Sequence, residues 1–221
     1  MSIERHPLNF EPIAEEILEA WRAIPTSIAS DAMNRTQAMS AAIKPVAPGL
    51  TVVGAARTVT TMIGDNGAIH ALGALLQPGE VMVVDARGQT DSAVWGEVLT
   101  RSVMQQGCAG TILDGATRDI AEIRALAFPL FCRGVVPRGP HKGFGGVIDG
   151  PIAIGAVTVH PGDLILGDDD GVVAVPRAKV DSLLATARQL IEREQLWFEE
   201  IAKGRSTVDI LGLPEAEISE D

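Results

Sequence analysis

Between residues 50 and 135 the chain alternates runs of β-branched apolar residues with segments whose apolar residues recur at helical spacing. The apolar runs predict strands, and they cover residues 50–62, 77–88, 109–115 and 128–134. The periodic segments predict helices, and they cover residues 64–76, 93–107 and 118–126. This alternation indicates βαβ units with right-handed crossovers and a largely parallel sheet. Ligands on sheets of this kind bind at the carboxyl ends of the strands.

Helices are predicted on both sides of this region. Residues 10–24 and 178–203 each place their apolar residues on one helical face, and Gly204 ends the second of these helices. Ser30 or Asp31 is predicted to cap a further short helix, because each offers an oxygen to free backbone N–H groups. The flanks therefore add helices to an α/β fold.

After residue 135 the chain becomes rich in Gly and Pro, with short apolar runs between turn signals, which predicts antiparallel strands. Asp168, Asp169 and Asp170 precede a glycine, but they lack the alternating spacing of a calcium loop, so we interpret them as a turn. We expect a single domain over residues 1–221. Within it, 1–24 holds the N-terminal helix, 178–204 the C-terminal helix and 213–221 an acidic tail.

Composition narrows the class of protein. Hydrophobic residues make up 46% of the 221 and aromatic residues 4%, so a core of Val, Ile, Leu and Ala is expected. The net charge is −11 and no cluster of Lys or Arg could neutralise a row of phosphates, so we expect no nucleic-acid partner. Neither a signal peptide nor a run of 18 apolar residues is found, so we expect a cytoplasmic protein that does not enter a membrane. Cys108 and Cys132 lack C-x-x-C spacing and are predicted to be buried fillers.

Candidate chemistry lies in the stretch TILDGATRDIAEIRAL, residues 111–126, where a buried strand gives way to Arg118 and Asp119. Both side chains can project over the carboxyl edge of the sheet. The preceding helix begins similarly, with Gly96 before Glu97, and its unpaired N–H groups are suited to hold a carboxylate. If the two turns come from adjacent strands, Glu97 stands near Arg118 and Asp119, with twenty residues between Glu97 and Arg118.

Each of these residues also has a purely structural interpretation. Glu97 and Asp119 are first-turn acids that a helix dipole favours, and Arg118 can lay its stem over apolar surface. His70, on a predicted helix, is interpreted as a surface or packing residue. Asp114 is expected to support its turn, and Glu122 is a candidate outer partner for Arg118 or a metal.

Two segments carry a resemblance to a known family. WGEVLTRSVMQQGCAGTILDGATRDIAEIRALAFPLFCRGVVPRGP, residues 95–140, and PGDLILGDDDGVVAVP, residues 161–176, resemble the RraA-like family. This family includes the 4-hydroxy-4-methyl-2-oxoglutarate/4-carboxy-4-hydroxy-2-oxoadipate aldolases. The resemblance extends over about residues 24–176. It implies a compact α/β/β fold of the swivelling-domain type, with a second β layer, assembled into homotrimers or homohexamers with active sites between subunits.

The resemblance also implies roles for the candidate residues. In the aldolase branch an aspartate precedes the Arg-Asp pair by the same gap, and here Glu97, one methylene longer, takes its place. Asp119 would bind Mg²⁺ or Mn²⁺, and Arg118 would hold the 2-keto oxygen. The amides of Gly96, Val98 and Leu99 would hold the pyruvyl carboxylate. An acid from a neighbouring subunit would complete the site, and the candidates for it are Glu192, Glu194 and Glu199.

The activity that follows is a class II aldolase, which cleaves a 4-hydroxy-2-oxo acid to pyruvate and also decarboxylates oxaloacetate. Glu97 would orient the water that removes the hydroxyl proton. The two turns contain no lysine, so a Schiff-base mechanism lacks an obvious nucleophile there. The alternative is a regulator that binds a ribonuclease without catalysis, since relatives with that role share the fold and an acidic surface suits a basic partner.

Overall fold

The computed structural model describes residues 2–216, and every element below lies in that range. The helices are α1 (Glu15–Arg22), α2 (Thr26–Ala32), α3 (Gly67–Gly73), α4 (Glu97–Gln105), α5 (Ile120–Ala125), α6 (Val180–Ala202) and α7 (Thr207–Leu211). The strands are β1 (Ile3–Arg5), β2 (Lys44–Pro45), β3 (Val52–Thr61), β4 (Val81–Asp85), β5 (Ala93–Trp95), β6 (Gly110–Thr117), β7 (Leu130–Val135), β8 (Gly146–Ile148), β9 (Ile152–Ile154), β10 (Val157–Val159), β11 (Leu164–Asp168) and β12 (Gly171–Val175).

The large sheet has the order β1-β8-β3-β4-β6-β7-β2, and its strands β3, β4, β6 and β7 are parallel neighbours. The helices α3, α4 and α5 lie between these strands in the chain, as the alternating pattern predicts. The hairpin of β11 and β12 pairs antiparallel with the first half of β3. Strands β9 and β10 form a second, small sheet. The α/β prediction, with its second β layer and long C-terminal helix, is confirmed.

Three hydrophobic clusters hold these layers together. One packs α3, α4 and α5 against one face of the parallel strands, with Leu72, Leu99 and Ile123 at its centre. Another fills the opposite face under the small β9–β10 sheet. The third joins α1, α2 and α6 to the β11–β12 hairpin through residues such as Trp21 and Leu184. Each face of the large sheet is therefore covered, which explains why its central strands read as nearly continuous apolar runs.

Some predicted boundaries differ from the structure. The opening helix is α1 alone, eight residues long, and the short strand β1 was not predicted. The helix predicted over residues 93–107 begins only at Glu97, because residues 93–95 form strand β5. The prediction that Ser30 or Asp31 caps a helix is wrong, because both lie inside α2. Instead the Asp168 carboxylate accepts hydrogen bonds from the N–H and hydroxyl groups of Thr26 at 2.9 and 2.6 Å. A local sequence pattern cannot reveal a cap that comes from 142 residues away.

Other expectations agree with the structure. Asp169 and Asp170 form the turn between β11 and β12, directly after Asp168 at the end of β11, and both cysteines are free and buried. Burial raises the pKa of the Cys132 thiol to about 11, so it stays protonated near neutral pH. Among residues 2–216, no helix combines the length and apolar character that crossing a bilayer requires. Of the expected acidic tail, residues 213–216 are neither helix nor strand, and residues 217–221 lie outside the described part of the chain.

The C-terminal helix extends beyond its own core. Its buried residues, Val180, Leu184 and Ala187, all lie in the first third of α6. Farther along, Leu196 and Phe198 are 61% and 57% exposed. The second half of α6 therefore carries apolar surface that the described residues of this chain do not cover.

A buried ion network ties β3 to the loop after β8. Arg57 is 1% exposed, and its Nε and Nη2 atoms donate to the two oxygens of Asp149 at 2.8 and 3.0 Å. Its Nη1 atom donates to Glu80 at 2.8 Å. Arg5 Nε also donates to Asp149 Oδ2, at 3.3 Å from a half-exposed position, so removing the Arg57 guanidinium leaves the buried Asp149 carboxylate with only this weaker contact.

We therefore expect Arg57→Met to lower the free energy of unfolding by about 3–5 kcal/mol. Arg22→Met is the comparison, because Arg22 makes only exposed ion pairs, which contribute roughly 1 kcal/mol or less. Urea unfolding at one fixed protein concentration measures both. Equal losses for the two variants would contradict the importance assigned to the buried network.

Candidate active site

Two strand-to-helix corners adjoin at one edge of the sheet. Strand β5 ends at Trp95 and leads through Gly96 into α4, and β6 ends at Thr117 and leads through Arg118 into α5. The two strands pair in parallel, and the Arg118 N–H group donates to the Trp95 carbonyl at 3.1 Å. The two turns therefore come from adjacent strands, which is the condition under which the sequence predicts Glu97 to lie near Arg118 and Asp119.

Asp119 links the corners through its side chain. Its backbone is left-handed, with φ 57° and ψ 41°, a conformation that Asp adopts more readily than most residues. In this position its Oδ2 atom accepts a hydrogen bond from the Glu97 N–H group at 3.1 Å and lies 3.6 Å from Arg118 Nε. The carboxylate of one corner thus holds the first amide of the helix that begins at the other.

Gly96 is required here for space. Its φ of −177° is extended backbone that any residue adopts. A Cβ atom at this position, however, would lie 2.6 Å from Asp119 Oδ2 and 3.3 Å from Arg118 Cγ. Only a residue without a side chain lets Asp119 approach the start of α4 so closely.

A pocket of about 130 Å³ opens beside these corners. Part of its lining is the corner site, which we define as Gly96, Val98, Leu99, Arg118 and Asp119. First-turn amides of a helix lack intrahelical acceptors, so those of Val98 and Leu99 can donate to a bound anion. Five of the six residues predicted from the sequence therefore line one pocket.

Glu97, the sixth residue, does not line this pocket. Its Oε1 atom accepts from Arg101 Nε at 2.8 Å, one turn along α4, and its side chain is 32% exposed. The Oε2 atom makes no hydrogen bond to the described residues. The catalytic role of Glu97 stays a prediction, and in this conformation its carboxylate reaches the pocket only through a water or a side-chain rotation.

The rest of the pocket was not predicted. Its distal wall, as we define it, is formed by Asn66, His70, Pro140 and Lys142. Asn66 is the residue directly before α3, and His70 lies four positions later on the same face of the helix. This spacing was the only sequence signal that the two side chains lie together. Lys142 lies in an irregular loop, and nothing in the local sequence places that loop beside α3. Only the tertiary structure brings these side chains to the corner site.

His70 is half-buried in this wall. Burial and the nearby Lys142 ammonium together lower the pKa of its imidazole below the usual value, because both disfavour the charged form. His70 is therefore neutral at pH 7, able to accept or donate one hydrogen bond.

Two other acids near the corners have different surroundings. Asp114 is buried, forms an ion pair with Arg133 and accepts from the Gly155 N–H group at 2.9 Å, which agrees with a supporting role. Glu122 is exposed on α5 and does not line the pocket. The acids of α6 at positions 192, 194 and 199 also do not line the pocket of their own chain.

A larger cavity of about 460 Å³ lies elsewhere, between the end of α1 and the start of β3. Its charged groups are already paired, since Arg22 binds Glu15 and Glu19, and Asp168 caps α2. Because its charged groups are already paired, this cavity is a weaker candidate than the smaller pocket.

The side chains around the pocket determine which metal ion could bind there. No group of three or more His, Cys, Asp or Glu residues among residues 2–216 is arranged to enclose a metal ion. Asp119 nevertheless offers Oδ1, which makes no hydrogen bond to the described residues, at the mouth of a pocket with room for water and a small ligand. A single carboxylate with water and substrate oxygens fits Mg²⁺ or Mn²⁺, and it does not fit a structural zinc site.

Comparison with known proteins shows the class of molecule that this fold and pocket define. The family model described as RraA-like, Aldolase/RraA, matches residues 26–174. The chain therefore belongs to the RraA-like family. The resemblance seen in the sequence is thereby confirmed.

Individual proteins that resemble this chain in sequence or structure agree with this family assignment. A protein of Halalkalibacterium halodurans, provisionally named 4-hydroxy-4-methyl-2-oxoglutarate aldolase, is 38% identical over 174 residues, 79% of this chain and 83% of that protein. The crystal structure of an uncharacterized protein from Pseudomonas syringae pv. tomato has a TM-score of 0.79 and 27% identity, covering 91% of this chain and 99% of that one. Streptomyces coelicolor RraAS2, described as an unusual member of the RNase ES inhibitor RraA family, has a TM-score of 0.75 and 29% identity, covering 89% and 100%.

The close approach at Gly96 leads to a test. Gly96→Ala places a Cβ against Asp119 Oδ2, so we expect the hydrogen bond from the Glu97 N–H group to break. Loss of a hydrogen bond to a charged group costs about 1.5–3 kcal/mol, so amide exchange at Glu97 should accelerate roughly 10–100-fold. In Gly134→Ala the new Cβ meets Thr90 at an ordinary 3.4 Å, so Glu97 exchange should stay unchanged. Hydrogen exchange followed by NMR distinguishes the two.

The environment of His70 leads to a second test. Removing the Lys142 charge in Lys142→Gln should raise the pKa of His70, while Lys142→Arg, which keeps the charge, should leave it low. NMR titration of the imidazole signals measures both, with His70→Gln used to assign the resonance. The same pKa in the Gln and Arg variants would show that Lys142 does not act on His70.

Proposed function

We propose that this protein is a divalent-metal-dependent class II aldolase that cleaves 4-hydroxy-2-oxo acids, of the 4-hydroxy-4-methyl-2-oxoglutarate type, to pyruvate. The observation that carries the proposal is the meeting of a helix N-terminus, a guanidinium and a carboxylate in one pocket. The provisional name of the Halalkalibacterium relative supports the same reaction. Decarboxylation of oxaloacetate is expected alongside, because it leaves the same pyruvate enolate.

The corner site matches the demands of a bound 2-oxo acid. The carboxylate of the substrate would accept hydrogen bonds from the amides of Gly96, Val98 and Leu99, and Arg118 would donate to the 2-keto oxygen. When the C–C bond breaks, negative charge develops on that oxygen, so Arg118 interacts more strongly with the transition state than with the substrate. A divalent cation held at Asp119 would add positive charge beside the same oxygen.

Glu97 is the residue proposed for proton transfer. With Oε1 held by Arg101, its Oε2 atom is available to orient a water. That water would take the proton from the substrate hydroxyl as the bond breaks. The extra methylene of Glu places the carboxylate farther from the backbone than an Asp would.

Lys142 requires a separate control. Schiff-base chemistry was set aside because neither corner contains a lysine, yet the structure brings Lys142 into the pocket lining. A lysine beside a keto acid is the group that a class I aldolase uses. Borohydride treatment in the presence of substrate therefore has to be part of any assignment of mechanism.

Self-assembly belongs to the same proposal. The apolar residues on the second half of α6, together with Val208, Leu211 and Leu213 beyond it, form a surface suited to a neighbouring subunit. We propose a homotrimer or homohexamer in which Glu192, Glu194 or Glu199 of one protomer approaches the pocket of the next. The small-molecule 2-oxo acid is the proposed ligand, with neither nucleic acid nor membrane as a partner.

The proposal predicts that the protein releases pyruvate from oxaloacetate and from 4-hydroxy-4-methyl-2-oxoglutarate. EDTA should abolish this release, and added Mg²⁺ or Mn²⁺ should restore it. Asp119→Ala should lower kcat/KM by roughly a hundredfold or more, because it removes the cation and its charge stabilisation. Asp169→Ala, an exposed acid far from the pocket, is the control and should retain wild-type activity. A coupled lactate dehydrogenase assay measures the pyruvate.

Three results would contradict this assignment. They are EDTA-resistant turnover, an active Asp119→Ala variant, and inactivation by borohydride that depends on both substrate and Lys142. The last result would move the protein from class II to class I aldolases.

A ribonuclease regulator is the second candidate, since the description of Streptomyces coelicolor RraAS2 names an RNase inhibitor family. The net charge of −11 suits a basic partner segment. A regulator has no need for a pocket that holds Arg118 and Asp119 together. Capture of a ribonuclease, combined with no pyruvate release under any metal, would favour regulation over catalysis.

A further inference from the structure

Asp65 is a buried carboxylate that the proposed mechanism does not use. It is fully buried, and it makes no ion pair with the residues at 2–216. Three backbone N–H groups satisfy it instead. Oδ1 accepts from Gly67 at 2.9 Å, and Oδ2 accepts from Gly143 at 2.7 Å and from Phe144 at 3.1 Å.

These three bonds join the two segments that form the distal wall. The bond to Gly67 fixes the start of α3, which carries His70. The bonds to Gly143 and Phe144 fix the loop that carries Lys142. Two backbone bonds run alongside, from the Asn66 N–H group to the His141 carbonyl and from the His141 N–H group to the Gly64 carbonyl. The distal wall is therefore assembled around the carboxylate of Asp65.

The other end of the same loop is fixed independently. The Ala93 N–H group donates to the Arg138 carbonyl at 2.8 Å, and the Ser92 hydroxyl donates to the Gly139 carbonyl at 3.1 Å. These contacts lie beside Arg118, whose Nη1 atom would be 2.6 Å from a Cβ at Gly139. Loss of the Asp65 bonds should therefore release the distal wall while the corner site keeps its geometry.

The distal wall has polar groups available for a ligand. Asn66 is 5% exposed and donates from Nδ2 to the Val94 carbonyl, but its Oδ1 atom has no hydrogen-bond partner in the described chain. Within residues 2–216, no carboxylate lies in salt-bridge range of Lys142. A half-buried imidazole and an ammonium group are suited to a second carboxylate on a ligand, and the amide oxygen of Asn66, which is buried in this conformation, accepts from a ligand hydroxyl only if its side chain turns toward the pocket.

We propose that Asp65 is a positioning residue that fixes the distal wall, and that this wall recognises the carboxylate-bearing half of the substrate beyond its pyruvyl group. The inference rests on the proposed function, because it divides the substrate of that reaction between two sets of residues. The corner site holds the half that becomes pyruvate, and Asp65 acts on the other half through Asn66, His70 and Lys142.

The test compares the whole substrate with pyruvate alone. In Asp65→Asn, which turns an acceptor oxygen into an NH₂ group facing N–H donors, KM for 4-hydroxy-4-methyl-2-oxoglutarate should rise about tenfold or more. The inhibition constant of pyruvate, which does not reach the distal wall, should stay within about twofold of wild type. Lys142→Met, at an exposed position, should shift KM in the same direction.

A matched control is available in Asp163. It is 5% exposed, and its carboxylate also accepts two backbone N–H bonds, from His160 and Arg177 at 2.8 Å each, but it lies away from the pocket. Asp163→Asn should lower the Tm while leaving both KM and the pyruvate inhibition constant unchanged. If Asp65→Asn does not fold, Asp65→Glu, which keeps the charge and displaces the oxygens by one methylene, takes its place.

The positioning role is overturned if the Asp65 variant leaves KM unchanged, if pyruvate inhibition weakens as much as substrate binding, or if Asp163→Asn gives the same kinetic change. If the wild-type protein releases no pyruvate, the proposed aldolase function fails on its own. Hydrogen exchange then decides the role of Asp65. Faster exchange of the Gly143 and Phe144 amides in Asp65→Asn supports it, and unchanged exchange overturns it.

Discussion

The hydrogen bond from the Glu97 N–H group to the Asp119 carboxylate is the contact on which the candidate site depends. It joins two helix starts, so it sets where the free amides of α4 and the guanidinium of Arg118 lie relative to each other. Three conditions allow it: β5 beside β6, a left-handed backbone at Asp119, and no side chain at Gly96. The geometry of the site follows from backbone features more than from any one reactive group.

The same arrangement offers local positive charge to an anion on a protein whose net charge is −11. The long-range field of such a protein repels an oxo acid, and at physiological salt this repulsion decays over about 8 Å. Attraction therefore has to be local. Arg118, Lys142 and the N-terminus of α4 provide it within one pocket, where lower dielectric makes each interaction stronger than in water.

Sequence patterns predicted the parts of the molecule that depend on local or periodic information. The parallel strands and their helices follow from hydrophobic periodicity, and the corner residues follow from the rule that ligands bind where such strands end. Lys142 and Asp65 could not be found in this way, because they act together only where the loop that carries Lys142 packs against the start of α3. The cap that Asp168 provides for α2 is hidden from sequence patterns for the same reason. Glu97 shows a different limit: its i,i+4 spacing to Arg101 is a readable signal for an ion pair, but the sequence does not tell whether the carboxylate lies along the helix or faces the pocket.

The two parts of the pocket are built from different kinds of structure, and this difference suggests different roles for them. The corner site is built from strand ends and a helix start that pack against the core, and under the proposed function it would hold the pyruvyl half that the substrates share. The distal wall is built from a Gly- and Pro-rich loop held by a few hydrogen bonds, so changes in loop sequence alter it without disturbing the sheet. Reaction type would then be set by the fold, and the choice among 4-hydroxy-2-oxo acids by the loop that Asp65 anchors.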